Sequence, residues 1–183
     1  MLIPERVETP RLILRRFQLT DAEEIFYTYA SKPESTRYVS WPVHTSLKDT
    51  HTYLRYARTA WTQGLDYSFA VRLKGSNRLI GACGFLNDAG NVQLGYVFGP
   101  LHWGNGYATE AANAVVQLLL TLPVHKIVSF VDIDNKASIR VLEKCGFRTE
   151  AVVKDWWRFP NQHNQLKDCV IFTFPINPKP TLG

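Results

Sequence analysis

The segment from Tyr96 to Glu110 limits the fold more than any other part of the chain. The β-type residues Tyr96, Val97 and Phe98 end at Gly99-Pro100, and the chain then passes through Gly104-Asn105-Gly106 into a strongly apolar helix predicted over 107–120. A strand that enters a helix through a glycine turn gathers unpaired backbone N–H groups and the positive end of a helix dipole at one point. Such a point suits an anion, most naturally a pyrophosphate. Gly104 and Gly106 leave no Cβ in the path of phosphate oxygens, and Thr109 adds a hydroxyl. The same residues also suit a tight connection in which glycine serves only as helix cap. Two other glycine motifs do not fit. A dinucleotide fingerprint needs a third glycine where Thr109 stands, and a nucleotide P-loop needs Lys and Ser/Thr where Asn105-Gly106 follow Gly104.

Around this segment the hydrophobic pattern gives a single mixed domain. A short strand is predicted over 11–16, followed by a helix that opens at Thr20 with acidic residues in its first turn and stops at Lys32-Pro33. Ser46 and Asp49 resemble a capping box, and Tyr53, Leu54, Ala57 and Trp61 follow at helical spacing, so a helix is predicted over 47–63, up to Gly64. Strand-like runs at 67–73, 78–86 and 92–98 are separated by turn residues and read as an antiparallel meander. A strand over 126–133, a helix over 135–145 closed by Gly146, and strands over 148–153 and 169–174 complete the pattern. The connection 156–167 is polar and aromatic.

At 183 residues the chain has the size of one domain, and 45% hydrophobic with 20% charged residues places it among ordinary globular proteins. No apolar run approaches the ~20 residues of a membrane span, and charges occupy the place of a signal peptide's apolar stretch, so a cytoplasmic protein is expected. Cys83, Cys145 and Cys169 are too few and too scattered for a disulfide framework and are expected as reduced, buried thiols. The five histidines form no metal-binding spacing, and no metal is expected. A net charge of +5 invites nucleic acid as a partner, but the lysines and arginines are spread along the chain, and Arg11 and Arg15 make only a small patch on one strand face.

Trp103 to Ala112, followed by Asn135 to Phe147 after an intervening helix and strand, resembles the GNAT superfamily of acetyl-CoA-dependent N-acetyltransferases. The opening Thr9-Pro10-Arg11-Leu12-Ile13-Leu14-Arg15 and Leu79-Ile80-Gly81 resemble its ribosomal-protein-alanine (Rim-type) branch. The likeness runs from about Thr9 to Phe174 within a single domain spanning 1–183. It implies an α/β (α+β) GNAT-type fold, with a mixed sheet of six to seven strands splayed at the cofactor and about four flanking helices. It also implies acetyl-CoA as cosubstrate, its pantetheine arm along Val97 and Phe98 and its pyrophosphate on Trp103, Gly104, Asn105, Gly106, Tyr107, Ala108 and Thr109. Asn135 matches the family's cofactor-contacting asparagine, though its position equally suits a helix N-cap. A monomer or homodimer is expected from the relatives.

A primary amine attacks a thioester only when neutral, so the reaction needs a proton acceptor for the amine and a donor for the departing CoA thiolate. The resemblance implies direct attack in a ternary complex, with an oxyanion donor near Val97 or Phe98. The tyrosine that many relatives place seven residues after the asparagine is Leu142 here, and Ser138 is the candidate thiolate donor. The glutamate often found before the apolar-Gly-Tyr of the strand is Gln93, which leaves a water relay through Asp132, Asp88 or a carbonyl. Without a strong base, a low-pKa amine is favoured, either a protein N-terminus or a small-molecule amine. An α-amine with pKa about 7.7–8.0 needs about 3–4 kcal/mol less deprotonation than a lysine near 10.4. Tyr38, Trp41, Tyr53 and Trp61 fall where the family builds its acceptor pocket, and the same spacing also suits core packing. The absent Tyr and Glu keep open a non-catalytic acyl-CoA-binding or sensing module.

Overall fold

The computed structural model describes residues 2–176, so Met1 and the tail 177–183 of the expected 1–183 domain lie outside the described residues. Eight strands form one sheet in the order β1-β2-β3-β4-β5-β6-β8-β7. They are β1 (Arg6–Glu8), β2 (Leu12–Arg16), β3 (Asp66–Leu73), β4 (Leu79–Asp88), β5 (Asn91–Phe98), β6 (Lys126–Asp132), β7 (Arg148–Phe159) and β8 (Gln165–Phe174). Every pairing is antiparallel except β5 with β6. The helices among the described residues are α1 (Ala22–Ile25), α2 (Pro33–Thr36), α3 (Leu47–Gln63), α4 (Tyr107–Leu120) and α5 (Lys136–Lys144).

The expected six to seven strands become eight because a three-residue edge strand, β1, has too little pattern to read. The expected connection 156–167 is largely strand. β7 and β8 continue as a long hairpin whose register shifts between Val153 and Trp157, with Asp155 at φ 49°. An exposed edge strand shows no inward alternation, which is why Trp156 to Arg158 does not read as β. The expected four helices become five because Lys32-Pro33 ends one helix and starts another, with Pro33 at the first helical position of α2. The first helix is also irregular. A 3-10 turn at Leu19–Asp21 leads into α1, which continues as a π segment over Phe26–Ala30.

Other boundaries follow the local chemistry. Asp49 accepts the Ser46 N–H at 2.9 Å at the start of α3, and Gly64 closes that helix at φ 78°. Gly146 takes φ 86° after α5. The sheet buries both faces. Phe69, Cys83, Phe85 and Leu94 pack with Ala112, Val115, Val116 and Leu119 of α4 and Leu142 of α5. Ala70, Ala82 and Val97 pack with Ile25, Tyr29, Leu54 and Ala57 on the other side. Truncating a fully buried α4 residue such as Leu119 to Ala costs about 2–5 kcal/mol by the usual transfer and cavity terms. α4 therefore carries its N-terminus to the sheet as part of the core.

Candidate functional site

The two parallel strands stay together for only three pairs, Asn91 to Gln93 against Lys126 to Val128. One further contact, Ser129 Oγ to the Leu94 carbonyl at 3.0 Å, marks where they part. β5 continues against β4 to Phe98, so its other edge is open from Gly95 onward. The Gly99 N–H donates to the Ile80 carbonyl on the β4 side at 2.9 Å. Alternation along the strand then turns the peptide groups of Tyr96 and Phe98 to the open side and that of Val97 to β4. Of the two oxyanion positions expected from the sequence, Phe98 thus has its N–H on the open edge. The Phe98 carbonyl is already held by Trp103 Nε1 at 2.9 Å and Ser35 Oγ at 3.1 Å. This explains a tryptophan at position 103, whose indole fixes the glycine turn to the strand.

The opening widens into a cleft of about 900 Å³ lined by Val97, Phe98, Trp103, Gly104, Gly106, Tyr107, Ala108, Thr109, Asn135 and Ser138. Asn105, expected with them, is not on its wall. Its side-chain amide instead donates to the Trp103 and His102 carbonyls at 3.0 and 3.3 Å and closes the turn. Gly104 and Gly106 sit at φ 76° and 77°, where a side chain is strained, and Gly106 caps α4. The turn is locked from the connection between β1 and β2. Arg11 donates through Nη1 to the Asn105 carbonyl at 3.0 Å and through Nε to Glu110 at 2.6 Å, and its guanidinium lies 4.7 Å from the Tyr107 ring centre. Thr9 Oγ1 also donates to Glu110 at 2.6 Å. Partial burial of Glu110 raises its pKa, but the bonds from Thr9 and Arg11 together outweigh that and hold it below the ordinary value. Arg15 and Arg16 are likewise paired, to Asp21 and Glu5, so the expected basic patch is spent on internal ion pairs.

At the opposite wall, Asn135 Oδ1 accepts the Ser138 N–H at 3.2 Å, so the residue is an N-cap and also borders the cleft. Ser138 Oγ lies 2.8 Å from Tyr96 Oη, which also donates to the Ser138 carbonyl at 3.2 Å. The sequence reading missed Tyr96. The signal was present in Leu94-Gly95-Tyr96, where the strand's alternation places the ring opposite α5. Burial raises the Tyr96 phenol, only partly offset by the bond to Ser138, so it keeps its proton across the neutral range. The cysteines are buried and free. Burial pushes Cys145 and Cys169 up to about 11 and raises Cys83, which borders the cleft, further still.

At the cleft's other end stand Tyr38, Trp41, Tyr53 and Tyr56, while Trp61 packs in the core against Tyr67 and Phe69. Of the two aspartates expected as relay groups, Asp132 borders the cleft and accepts from the Asp134 N–H at 2.9 Å and Gln162 Nε2 at 2.8 Å. Asp88 is at the far end of β4, paired with Asn91 and away from the cleft. Asn161, in the β7–β8 turn, holds the loop carrying Trp41. Its Nδ2 donates to the Thr36 and Trp41 carbonyls at 2.7 and 2.9 Å, and its Oδ1 accepts the Val43 N–H at 2.8 Å. More than a hundred residues separate the partners, and no local pattern announces the contact. Asn161→Ala removes all three bonds, with an expected loss of about 1–3 kcal/mol for polar groups left unpaired. The measurable outcome is a lowered midpoint in chemical denaturation relative to wild type.

Among the described residues no helix is long and apolar enough to cross a membrane, and no three His, Cys, Asp or Glu side chains are grouped to hold a metal ion. Comparison with known proteins agrees with the cleft's geometry. Residues 11–148 match the acetyltransferase (GNAT) domain family. The chain is 30% identical over 156 residues to the uncharacterized N-acetyltransferase p20 of Bacillus licheniformis, covering 83% of this chain and 87% of that protein. It superposes on a GNAT-family acetyltransferase of Bacillus anthracis with a TM-score of 0.81 at 27% identity, over 92% and 97% of the two chains. The fold is also that of the ribosomal-protein-S5-alanine acetyltransferase of Vibrio fischeri, with a TM-score of 0.82 at 18% identity over 96% and 99%. A sheet that splays beside a glycine-capped helix, carried on a matching sequence, makes this chain a member of the GNAT family of acetyl-CoA-dependent N-acetyltransferases.

Proposed function

We propose that the protein transfers the acetyl group of acetyl-CoA to a low-pKa primary amine, either a protein N-terminal α-amine or a small-molecule amine, by direct attack in a ternary complex. The observation that carries this reading is the open edge of β5 leading into the glycine-capped start of α4. Pantetheine pairs along the open edge of β5 at the Tyr96 peptide group, and the pyrophosphate takes the N–H groups of the turn and first helical residues. The Phe98 N–H faces the oxyanion that forms when nitrogen attacks the thioester carbonyl. The nitrogen gives up its proton to solvent water in the cleft, the carbon–sulfur bond breaks with its electron pair on sulfur, and Ser138, backed by Tyr96, donates a proton to the thiolate. The high thiol pKa of Cys83 supports direct transfer over an acyl-enzyme, because a buried neutral thiol is a poor nucleophile.

The acceptor follows from proton accounting. Gln93 replaces the usual strand carboxylate, so the amine must shed its proton before attack without a strong base beside it, which favours an amine of low pKa. At pH near 7.4 roughly a quarter of an α-amine is neutral, against about one part in a thousand of a lysine side chain. CoA release from an alanyl peptide amide is expected to exceed that from an N-acetyl-lysine amide by at least about tenfold at pH 7.4, and the gap should narrow as pH rises toward 10. Faster release from lysine at neutral pH would reverse the assignment.

A further inference from the structure

Three aspartates are buried: Asp21, Asp66 and Asp132. Asp21 is answered by Arg15 at 2.6 Å and Arg72 at 3.3 Å, and Asp132 by a backbone N–H and an amide. Asp66, only 6% exposed, is met by the Ser68 hydroxyl at 2.6 Å and the Ser68 backbone N–H, and has no cationic partner among the described residues. A buried carboxylate without a countercharge is costly, and folds rarely keep one without a use. Asp66 borders the cleft, beside Ser68, Tyr53 and Trp41.

We propose that Asp66 and Ser68 form an ammonium-recognition subsite at the acceptor end of the cleft, selecting a cationic amine that has no carboxylate next to it. The inference rests on the acetyltransferase reading for the position of the thioester, and it names the class of acceptor.

The sheet register supplies the geometry. Ser68, Gly84 and Gly95 form one cross-strand row, and Asp66, Leu86 and Gln93 form the next row on the same face. An ideal Cβ on Gly84 would meet the Tyr67 carbonyl at 2.4 Å and Ser68 Cα at 2.6 Å, so that position admits only glycine. A Cβ on Gly95 would meet nothing within 4 Å, so the floor of the cleft is bare backbone there. Two interstrand spacings put Ser68 about 10 Å from Gly95, where the open edge of β5 begins. An ammonium seated against Asp66 and Ser68 therefore has a side-chain-free path over Gly84 toward the thioester. The stacked Trp41 and Tyr53 rings, 6.3 Å apart and 22° from parallel, add an aromatic wall to this part of the cleft.

The cleft's cations, Arg140 and Lys144, come from α5, whose end reaches α4 where Cys145 Sγ contacts the Thr109 carbonyl, and its carboxylates are Glu34, Asp66 and Asp132. The α5 cations suit the anionic cofactor, and Asp66 is on β3, away from α5. Burial pushes the Asp66 carboxyl upward against the pull of Ser68, and an ammonium supplies the charge that burial denies it. A free amino acid would bring its own carboxylate within a few ångströms of Asp66, whereas a peptide N-terminus or a simple amine would not.

The test is calorimetric titration of the CoA-saturated protein with alanylalanine amide, N-acetyl-alanylalanine amide, free alanine and phenethylamine. Wild type is expected to bind the peptide amide or phenethylamine at least about tenfold tighter than the acetylated peptide and free alanine, and Asp66→Asn to bring all four within about threefold. Stabilisation by CoA, measured on the same samples, is expected to be equal in wild type and variant. Ser68→Ala, which keeps the charge, is expected to weaken the preference without abolishing it. Wild type without preference, or Asp66→Asn with the preference intact, overturns the subsite while leaving the acetyltransferase reading in place. Failure of CoA to stabilise wild type overturns the cofactor reading instead.

Discussion

Saturating acetyl-CoA is expected to raise the thermal unfolding midpoint of the wild-type protein by about 5–10 °C, and Thr109→Glu to abolish that rise. The magnitude follows from linkage: ligand at about 100 times its dissociation constant stabilises by roughly 2.7 kcal/mol, and at this chain length each kcal/mol moves the midpoint about 2–4 °C. Thr109 is the third residue of α4 and borders the cleft at the proposed pyrophosphate site. A carboxylate there opposes the phosphate charge, yet it suits the positive end of the helix. The variant alone should therefore unfold at or above the wild-type midpoint, which separates lost binding from lost folding. Gly106→Glu lacks this property, because the left-handed conformation at φ 77° strains any side chain. No rise in wild type at millimolar acetyl-CoA would reduce the glycine turn to a helix cap and remove the basis of the proposed mechanism.

The cofactor half was far more legible in the sequence than the acceptor half, and the reason is distance along the chain. A turn between a strand and a helix writes its requirements into adjacent residues. Gly104, Gly106 and the apolar face of α4 could be read there, and the helix bounds at Tyr107–Leu120 follow. Ser46 and Asp49 likewise gave the bounds of α3. The proposed acceptor end is assembled from α3, β3, the loop carrying Trp41 and the β7–β8 turn, each contributing one or two side chains. Asn161 acts on residues about 120 positions away, and only the sheet register brings Ser68 into a row with Gly84 and Gly95, with Asp66 in the next row on the same face. The side chain of Asn105 does not line the cleft, because its amide satisfies the carbonyls of its own turn. Tyr96 was missed because the tyrosine was sought on α5, where Leu142 stands buried.

That tyrosine leads to the other large expected effect. Ser138→Ala and Tyr96→Phe are each expected to lower kcat by about 10²-fold or more, the scale of a lost general acid. The double variant should be little worse than the weaker single one. Non-additivity is the signature of a relay: if Tyr96 restores the proton that Ser138 gives to sulfur, removing either hydroxyl breaks the same path. The 2.8 Å contact between the two oxygens is the structural basis. Because burial raises the Tyr96 phenol, the pair remains protonated below that elevated value, and kcat should show no falling limb from this group between pH 6 and 9. A purely structural hydroxyl pair gives a different pattern, with midpoints lowered in both variants and kcat per folded molecule preserved. Rates within about threefold of wild type in both variants would remove Ser138 and Tyr96 from the chemistry and transfer the proton to solvent at the mouth of the cleft. A wild-type protein that is stabilised by acetyl-CoA but releases no CoA with any amine would point instead to a binding or sensing module, in which the same contact only braces α5 against β5.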